Sequence, residues 1–319
     1  MQLGAQEKSL TLQDLIPGGR NQFRFVPRNL KQLQWCGDRY MYVRGDSLLA
    51  ASPADSRPEQ VALTLEQLNR TLEAAGYPST AAMPDFSVPF PKQPDLLAFH
   101  YRNYRIHYDL KADKVAVAYT LDSQWEHVEF CAANGYLAYT ERNNVQILSP
   151  ENRAAAVTDE TEDGIVCGVA VHQNEFGIHK GLFWSPQGTA LAFYRMDERM
   201  VTDYPAVNIH ARVARVEPFK YPMAGMKSHE VTVGVYHLSD GQVVWLKTGL
   251  PKEKYLTNVA WSPDDKSVYI AELNREQNEC CLVRYNARTG EKEAELFTER
   301  NGKYVEPQHP VLFLPKDPT

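Results

Sequence analysis

Along most of the chain, apolar and polar residues alternate in short runs, each broken by a turn and resumed next to a large aromatic. One phrase returns four times. Leu182-Phe-Trp184-Ser-Pro-Gln-Gly-Thr-Ala-Leu191-Ala-Phe193 recurs as Val259-Ala-Trp261-Ser-Pro-Asp-Asp-Lys-Ser-Val268-Tyr-Ile270. A weaker copy is Val128-Glu-Phe130-Cys-Ala-Ala-Asn-Gly-Tyr-Leu137-Ala-Tyr139, and a shorter one is Leu33-Gln-Trp35-Cys-Gly-Asp-Arg-Tyr40-Met-Tyr42. In three copies the aromatic and the next apolar position stand seven apart. An aromatic, a turn bearing Pro, Gly, Asn or Asp, and then an alternating run predict a β-hairpin with one buried face. A second echo is Tyr108 to Asp113, Tyr236 to Gly241 and Tyr285 to Gly290, with the tyrosine-to-turn spacing five in all three. It predicts the hairpin between the last two strands of the same unit, with Gly supplying the positive φ of the turn.

Two hairpins per repeat make a four-stranded blade. The chain is therefore read as an all-β β-propeller rather than a sandwich, which has no reason to repeat itself. Residues 1–30 read as a lead-in in which Thr11-Leu-Gln-Asp-Leu-Ile makes a helical turn stopped by Pro17-Gly-Gly. Residues 31–319 read as about five blades at roughly 40–50 residues each. A helix is predicted from Thr64 to Gly76, with Thr as N-cap, Gln three residues on, leucines at helical spacing and a closing Gly. Residues 197–229 read as a long excursion between hairpins, and Tyr304 to Phe313 as the opening strand of a further blade. A ring left open there would expose a strand edge, so the chain is expected to be a truncated part of a larger ring.

Composition narrows the function classes. At 319 residues the core is not limited by size, and a net charge of −6 carries no nucleic-acid footprint. No apolar run is long enough for a membrane span, and the first eight residues lack the basic start and apolar stretch of a signal peptide. An export signal is expected to have been removed. The five cysteines lack metal-ligand spacing and read as buried thiols, with at most two disulfides; no cofactor or metal is expected. The Asp264-Asp265 pair is read as turn chemistry.

The segment Val171-His-Gln-Asn-Glu-Phe-Gly-Ile-His179 lies between two predicted strands and has too little alternation to be one. Such a polar loop belongs on a face of the disc, where propellers bind ligands. By its chemistry alone it reads first as a solvated connection with an unremarkable Glu. His172 and His179 read as hydrogen-bonding residues of the loop rather than bases, and the neighbours Ser228 and His229 do not by adjacency make a triad.

His172-Gln-Asn-Glu-Phe-Gly-Ile, with Phe183-Trp-Ser-Pro and Leu191-Ala-Phe-Tyr-Arg-Met-Asp-Glu, resembles the propeller domain of the dipeptidyl peptidase IV branch of the prolyl oligopeptidase family. Within that branch it is most similar to the bacterial prolyl tripeptidyl aminopeptidases. Leu12-Gln-Asp-Leu-Ile-Pro-Gly-Gly, Lys220 to His229, Pro251 to Asn258 and Tyr304 to Pro310 extend the likeness over nearly the whole chain; residues 52–125 are only loosely related.

The resemblance implies a periplasmic or cell-surface bacterial serine peptidase that removes short N-terminal peptides ending in proline. It implies an eight-bladed propeller capping an α/β-hydrolase domain, here expected beyond residue 319, with a homodimeric parent as a further possibility. The propeller's part is a glutamate that binds the substrate's free amino group, which falls on Glu175; Asn174 and Gln173 rank below it as neutral hydrogen-bonding partners. Dipeptidyl relatives usually carry two adjacent glutamates, and Asn174 in the preceding place leans towards tripeptide release. The partners implied are peptides with a free N-terminus and proline at the cleavage site, and the chain's own hydrolase domain. This sequence contains no Gly-x-Ser-x-Gly elbow, so no catalytic residue is assigned within it. The alternative function is a non-catalytic propeller that binds a protein or glycan.

Overall fold

The computed structural model describes residues 9–314 except 20, 22–23, 26–28, 55–57 and 91–92. The first eight residues, read above for an export signal, lie outside them. Among the described residues, five antiparallel sheets run in sequence order as the blades of a propeller, four of them four-stranded and one with its first strand in two pieces. Blade 1 comprises Lys31–Cys36, Arg39–Arg44, Ser47–Ala51 and Gln60–Thr64; blade 2 comprises Asp85–Ser87, Leu96–Tyr101, Tyr104–Asp109 and Lys114–Thr120. Blade 3 comprises Glu126–Phe130, Leu137–Glu141, Asn144–Leu148 and Ala154–Ala156. In blade 4 the first strand comes in two pieces, Ile165–Cys167 and Leu182–Trp184, followed by Ala190–Asp197, Glu230–His237 and Gln242–Trp245. Blade 5 comprises Tyr255–Trp261, Ser267–Leu273, Glu279–Asn286 and Lys292–Arg300.

The chain divides into two compact units, Met1–Val117 and Ala118–Thr319. The first holds blades 1 and 2, apart from the end of the latter's last strand. Its helix, Leu65–Ala74, starts where the sequence places it: the Thr64 hydroxyl accepts from the Gln67 amide, and Leu68 and Leu72 are buried. The second unit is built around buried Tyr194, Val233, Val235, Leu256, Ile270 and Tyr285.

The repeated aromatic links blades as well as filling them. Trp261 Nε1 donates to the Phe183 carbonyl at 2.9 Å, and Trp184 Nε1 donates to the Glu129 carbonyl at 3.2 Å. The turns following these aromatics also join: Asp265 accepts from the Ser185 hydroxyl (2.6 Å), the Thr189 hydroxyl (2.7 Å) and the Gln187 amide (3.0 Å). Asp265 is thus a staple between neighbouring blades, and Asp264 closes its own turn on Ser262.

Two stretches differ from expectation. Residues 197–229 include a separate two-stranded hairpin, Asp203–Asn208 with Arg215–Lys220, where the sequence shows only an excursion. Its exposed Val207, Val216 and Phe219 blur the alternation that marks a half-buried strand. Tyr304 to Phe313 forms no strand. Instead the Val305 amide donates to the Gln277 carbonyl, its side chain is buried beside Phe176 and Tyr255, and the Pro307 carbonyl accepts from Asn258 Nδ2. Pro307 and Pro310 have no amide hydrogen to offer a ladder.

The first strand of blades 1, 3 and 5 carries the same irregularity. After the pairs Trp35↔Tyr40, Phe130↔Leu137 and Trp261↔Val268, the register advances one more step and then slips. A left-handed residue sits in each slip: Gln32, His127 and Asn258, with φ of 57°, 50° and 54°. These are β-bulges, which re-aim a strand and its side chains. In blade 4, one register position further along, the strand opens into residues 168–181.

Candidate functional site

That opening is pinned at its neck to a single residue. The Gly168 amide donates to the Tyr194 carbonyl (2.8 Å), and the Tyr194 amide donates to the Gly181 carbonyl (3.0 Å). A Cβ at Gly181 would lie 2.1 Å from the Val169 carbonyl oxygen, so only glycine lets the two limbs of the loop pass this closely.

The loop's tip is a short 3₁₀ turn, His172–Asn174, wound the wrong way for L-residues. His172, Gln173 and Asn174 have φ of 55°, 56° and 61°, and Phe176 follows at 55°. Each left-handed non-glycine residue costs about 1–2 kcal/mol, a strain that persists only where surroundings enforce it. Here they do. Phe176 and Ile178 are buried, and Phe176 meets the Tyr255 ring edge-on at 5.1 Å. From the other side comes the segment after blade 5: the Gln308 carbonyl lies 2.1 Å from where a Cβ on Gly177 would be. Lys180 pairs with Glu129 of blade 3 at 3.1 Å.

His172, at the start of the turn, is buried and anchors it to blade 5. Its Nε2 accepts from the Leu256 amide at 3.1 Å, and its Nδ1 stands 2.9 Å from His229 Nε2. A backbone amide can only donate, so His172 Nε2 carries no proton and Nδ1–H donates to His229. His229 Nε2 is therefore an acceptor, and its own proton sits on Nδ1. Burial drives the His172 imidazole well below its ordinary range. Burial, and secondarily the Arg275 guanidinium, pushes His229 down to about 4. The pair is neutral at neutral pH. Tyr194, whose hydroxyl donates to the Leu256 carbonyl at 2.8 Å, closes the network below.

Above this floor lies a cavity of about 190 Å³ lined by Gln173, Glu175, Tyr221, His229, Tyr255 and Arg275, among others. Glu175 is exposed at the foot of the left-handed turn, its backbone extended at φ −71° and ψ 167°. Its carboxylate makes no hydrogen bond or ion pair among the described residues. Gln173 lines the same cavity; Asn174 is exposed and does not. The sequence singled out the loop, but Tyr221, Tyr255, Arg275 and Gln277 come from distant segments and carried no local signal. His229 was read beside Ser228 and within the Lys220 to His229 likeness, and what matters in the fold is its contact with His172.

A larger cavity, about 650 Å³, opens at the turns of blades 4 and 5, among Thr189, His237, Asp265, Lys266 and Arg288. Its charged groups are engaged within the fold: Asp265 by the Ser185 turn, Arg288 by Asp240, and Asp264 by Lys266. The Glu175 cavity is the better candidate because its carboxylate is not.

Comparison with known proteins supplies the context. The family model for the dipeptidyl peptidase IV N-terminal region matches residues 96–319. A crystal structure of a candidate dipeptidyl aminopeptidase IV from Bacteroides ovatus superposes with a TM-score of 0.85 at 43% identity, covering 98% of this chain and 43% of that one. Porphyromonas gingivalis dipeptidyl peptidase 4 shares the fold with a TM-score of 0.70 at 17% identity, over 95% of this chain and 44% of that one. Among curated proteins, a dipeptidyl-aminopeptidase B assigned in Phaeosphaeria nodorum is 24% identical over 214 residues, 60% of this chain and 24% of the relative. A counterpart in Talaromyces marneffei is 26% identical over 204 residues, 57% of this chain and 23% of the relative. The chain thus spans less than half the length of these solved structures and about a quarter of these curated relatives.

Proposed function

We propose, on the premise that the chain belongs to the family of dipeptidyl peptidase IV N-terminal regions, that it is the substrate-recognition and gating propeller of an exported serine peptidase. The enzyme releases N-terminal di- or tripeptides ending in proline, and Glu175 binds the free amino terminus of the substrate. The observation that carries this reading is an unpaired carboxylate held at a cavity by a strained, over-braced turn. An α-ammonium and a carboxylate make a charge-assisted hydrogen bond, strong where water is partly excluded. An anchor that does not move measures a fixed length of extended peptide to the nucleophile, at about 3.3–3.6 Å per residue.

The nucleophile belongs to an α/β-hydrolase domain following residue 319, and the working compartment is the periplasm or cell surface. No helix among the described residues is long and apolar enough to cross a membrane. A homodimeric parent is part of the reading, and the hairpin Asp203–Asn208/Arg215–Lys220 supports it: Val207, Ile209, Val213, Val216 and Phe219 are all exposed.

The test is cleavage by the full-length protein of X-Pro and X-X-Pro chromogenic peptides with free and acetylated N-termini. Glu175→Gln is expected to lower kcat/KM on free N-termini by about 2–5 kcal/mol of transition-state stabilisation. Equal losses on free and acetylated peptides would refute the anchor. Absence of cleavage by the full-length protein would favour a binding propeller.

A further inference from the structure

The Glu175 cavity also holds a cation that the amino-terminus anchor does not use. Arg275 lies in the turn between the second and third strands of blade 5 and is half-buried. Its Nη1 reaches the Tyr255 hydroxyl at 2.5 Å, and its Cζ lies 5.6 Å from the centre of the same ring. Among the described residues it meets no carboxylate within ion-pair distance. Most of its five-donor fork is therefore uncommitted.

A second donor faces the same space. The Leu256 amide fixes the His172 tautomer, which in turn fixes the proton of His229 on Nδ1. That nitrogen has no protein partner among the described residues, although the residue is only 3% exposed and lines the cavity. The cavity thus offers one anionic acceptor and, separately, a guanidinium and a neutral N–H.

We propose that Arg275 and His229 Nδ1–H form an acid-accepting half of this cavity, which selects peptides whose N-terminal residue is Asp or Glu. This rests on Glu175 as the anchor of the amino group. The argument is one of charge balance. A bound α-ammonium neutralises Glu175 and leaves the half-buried guanidinium facing a neutral phenol. A carboxylate on the same N-terminal residue neutralises it, with the fork geometry that Arg presents to carboxylates and the imidazole N–H as a further donor. A neutral side chain leaves both donors to water, so the discrimination falls between isosteres differing in charge.

The experiment compares kcat/KM of the full-length protein on Asp-Ala-Pro, Asn-Ala-Pro and Ala-Ala-Pro chromogenic peptides, for wild type, Arg275→Met, Arg275→Lys and Glu175→Gln. Wild type is expected to prefer Asp over Asn by at least about tenfold. Arg275→Met, which keeps an apolar stem over Tyr255, should bring that ratio to about one, through a loss on the Asp peptide at least about tenfold greater than on the Asn and Ala peptides, and Arg275→Lys should restore part of it. An Asp-to-Asn ratio at or below one in wild type overturns the proposal. So does an equal loss on all three peptides in Arg275→Met, because a positioning or carbonyl-binding role gives that pattern. If Glu175→Gln leaves free N-termini unaffected, the amino-terminus anchor itself fails and the acidic selection falls with it. Cleavage that needs Glu175 but ignores the Asp/Asn difference removes only the role of Arg275.

Discussion

The neutral histidine pair beneath the Glu175 turn should make this unit acid-sensitive in a way traceable to one side chain. His229 has an ordinary value of 6.5 and a folded-state value of about 4, lowered by burial and then by Arg275. Above pH 6.5 both folded and unfolded states hold it neutral, and it adds no pH dependence. Between 6.5 and 4 the unfolded chain takes up a proton that the folded chain refuses, so stability falls as pH falls. At 1.36 kcal/mol per pH unit, the loss is about 2 kcal/mol by pH 5 and about 3 kcal/mol by pH 4, below which it levels off. Glu175, Tyr255, Arg275 and His172 line the cavity with His229, and protonating His229 would also set two donors face to face across its 2.9 Å contact with His172. His229→Gln keeps an acceptor for His172 Nδ1–H and cannot charge. The assay is urea unfolding followed by tryptophan fluorescence at pH 7 and pH 5 in a Trp35→Phe background, where the remaining tryptophans all lie in the unit Ala118–Thr319. The drop from pH 7 to pH 5 should be about 2 kcal/mol smaller in His229→Gln than in the parent. Equal drops would mean that His229 titrates normally in the folded state, and its burial as a neutral group would be wrong.

Two further outcomes test how the blades are held. Asp265 sits at φ 60° and accepts from four groups of the neighbouring turn, the Ser185 and Thr189 hydroxyls and the Gln187 and Thr189 amides. Asp265→Ala, which loses the acceptors and the left-handed tolerance, should cost about 2–3 kcal/mol, and Asp265→Asn about 1; equal thermal midpoints for the two would deny the staple. The second concerns Lys254 and Glu272 in blade 5, which pair at 2.6 Å with side chains only 11% and 12% exposed, while the Tyr285 hydroxyl donates to the same carboxylate. Lys254→Met should cost about 3–5 kcal/mol by stranding a buried charge, and Lys254→Met/Glu272→Gln should recover much of that in chemical denaturation.

What the sequence made legible is what repeats. Trp184 and Trp261 occupy equivalent registers, and each donates to the backbone of the preceding blade, so the same physical demand left the same residues twice. The Thr64 cap was equally plain, because capping is local. The hairpin at 203–220 was not, since its apolar residues face outward and give no one-sided pattern. Tyr304 to Phe313 misled for a related reason: an apolar, extended stretch looks like a strand whether it joins a ladder or, as here, lies along a loop. At the site, Glu175 stood out through its loop, while Arg275 and Tyr255 arrive from another blade. Left-handed φ at Gln173 and Phe176 was invisible, because of the turn's residues only His172 and Asn174 belong to types that favour it.

The bulge offers a physical account of how such a loop arises in a repeating fold. In blades 1, 3 and 5 the slip in the first strand places one left-handed residue outside the ladder, and each has a local hydrogen-bonding use: Gln32 to the Phe86 amide, His127 to Thr140, Asn258 to the Pro307 carbonyl. A bulge already spends a ladder hydrogen bond and already tilts the chain outward, so residues added there disturb little beyond it. Blade 4 shows the enlarged case. The strand leaves at Gly168, returns at Gly181, and resumes register on the far side of Tyr194 as though nothing had intervened. The packing of the blade is untouched, yet a carboxylate now stands on an outward turn. Such a turn would wander if its ends alone were fixed. The His172 bonds, buried Phe176 and the close approach of Gln308 hold it from three directions, and these offset the strain of its left-handed residues. Rigidity at this point follows from the site's proposed use, because a charge that shifts by one residue's length cannot measure where a peptide begins.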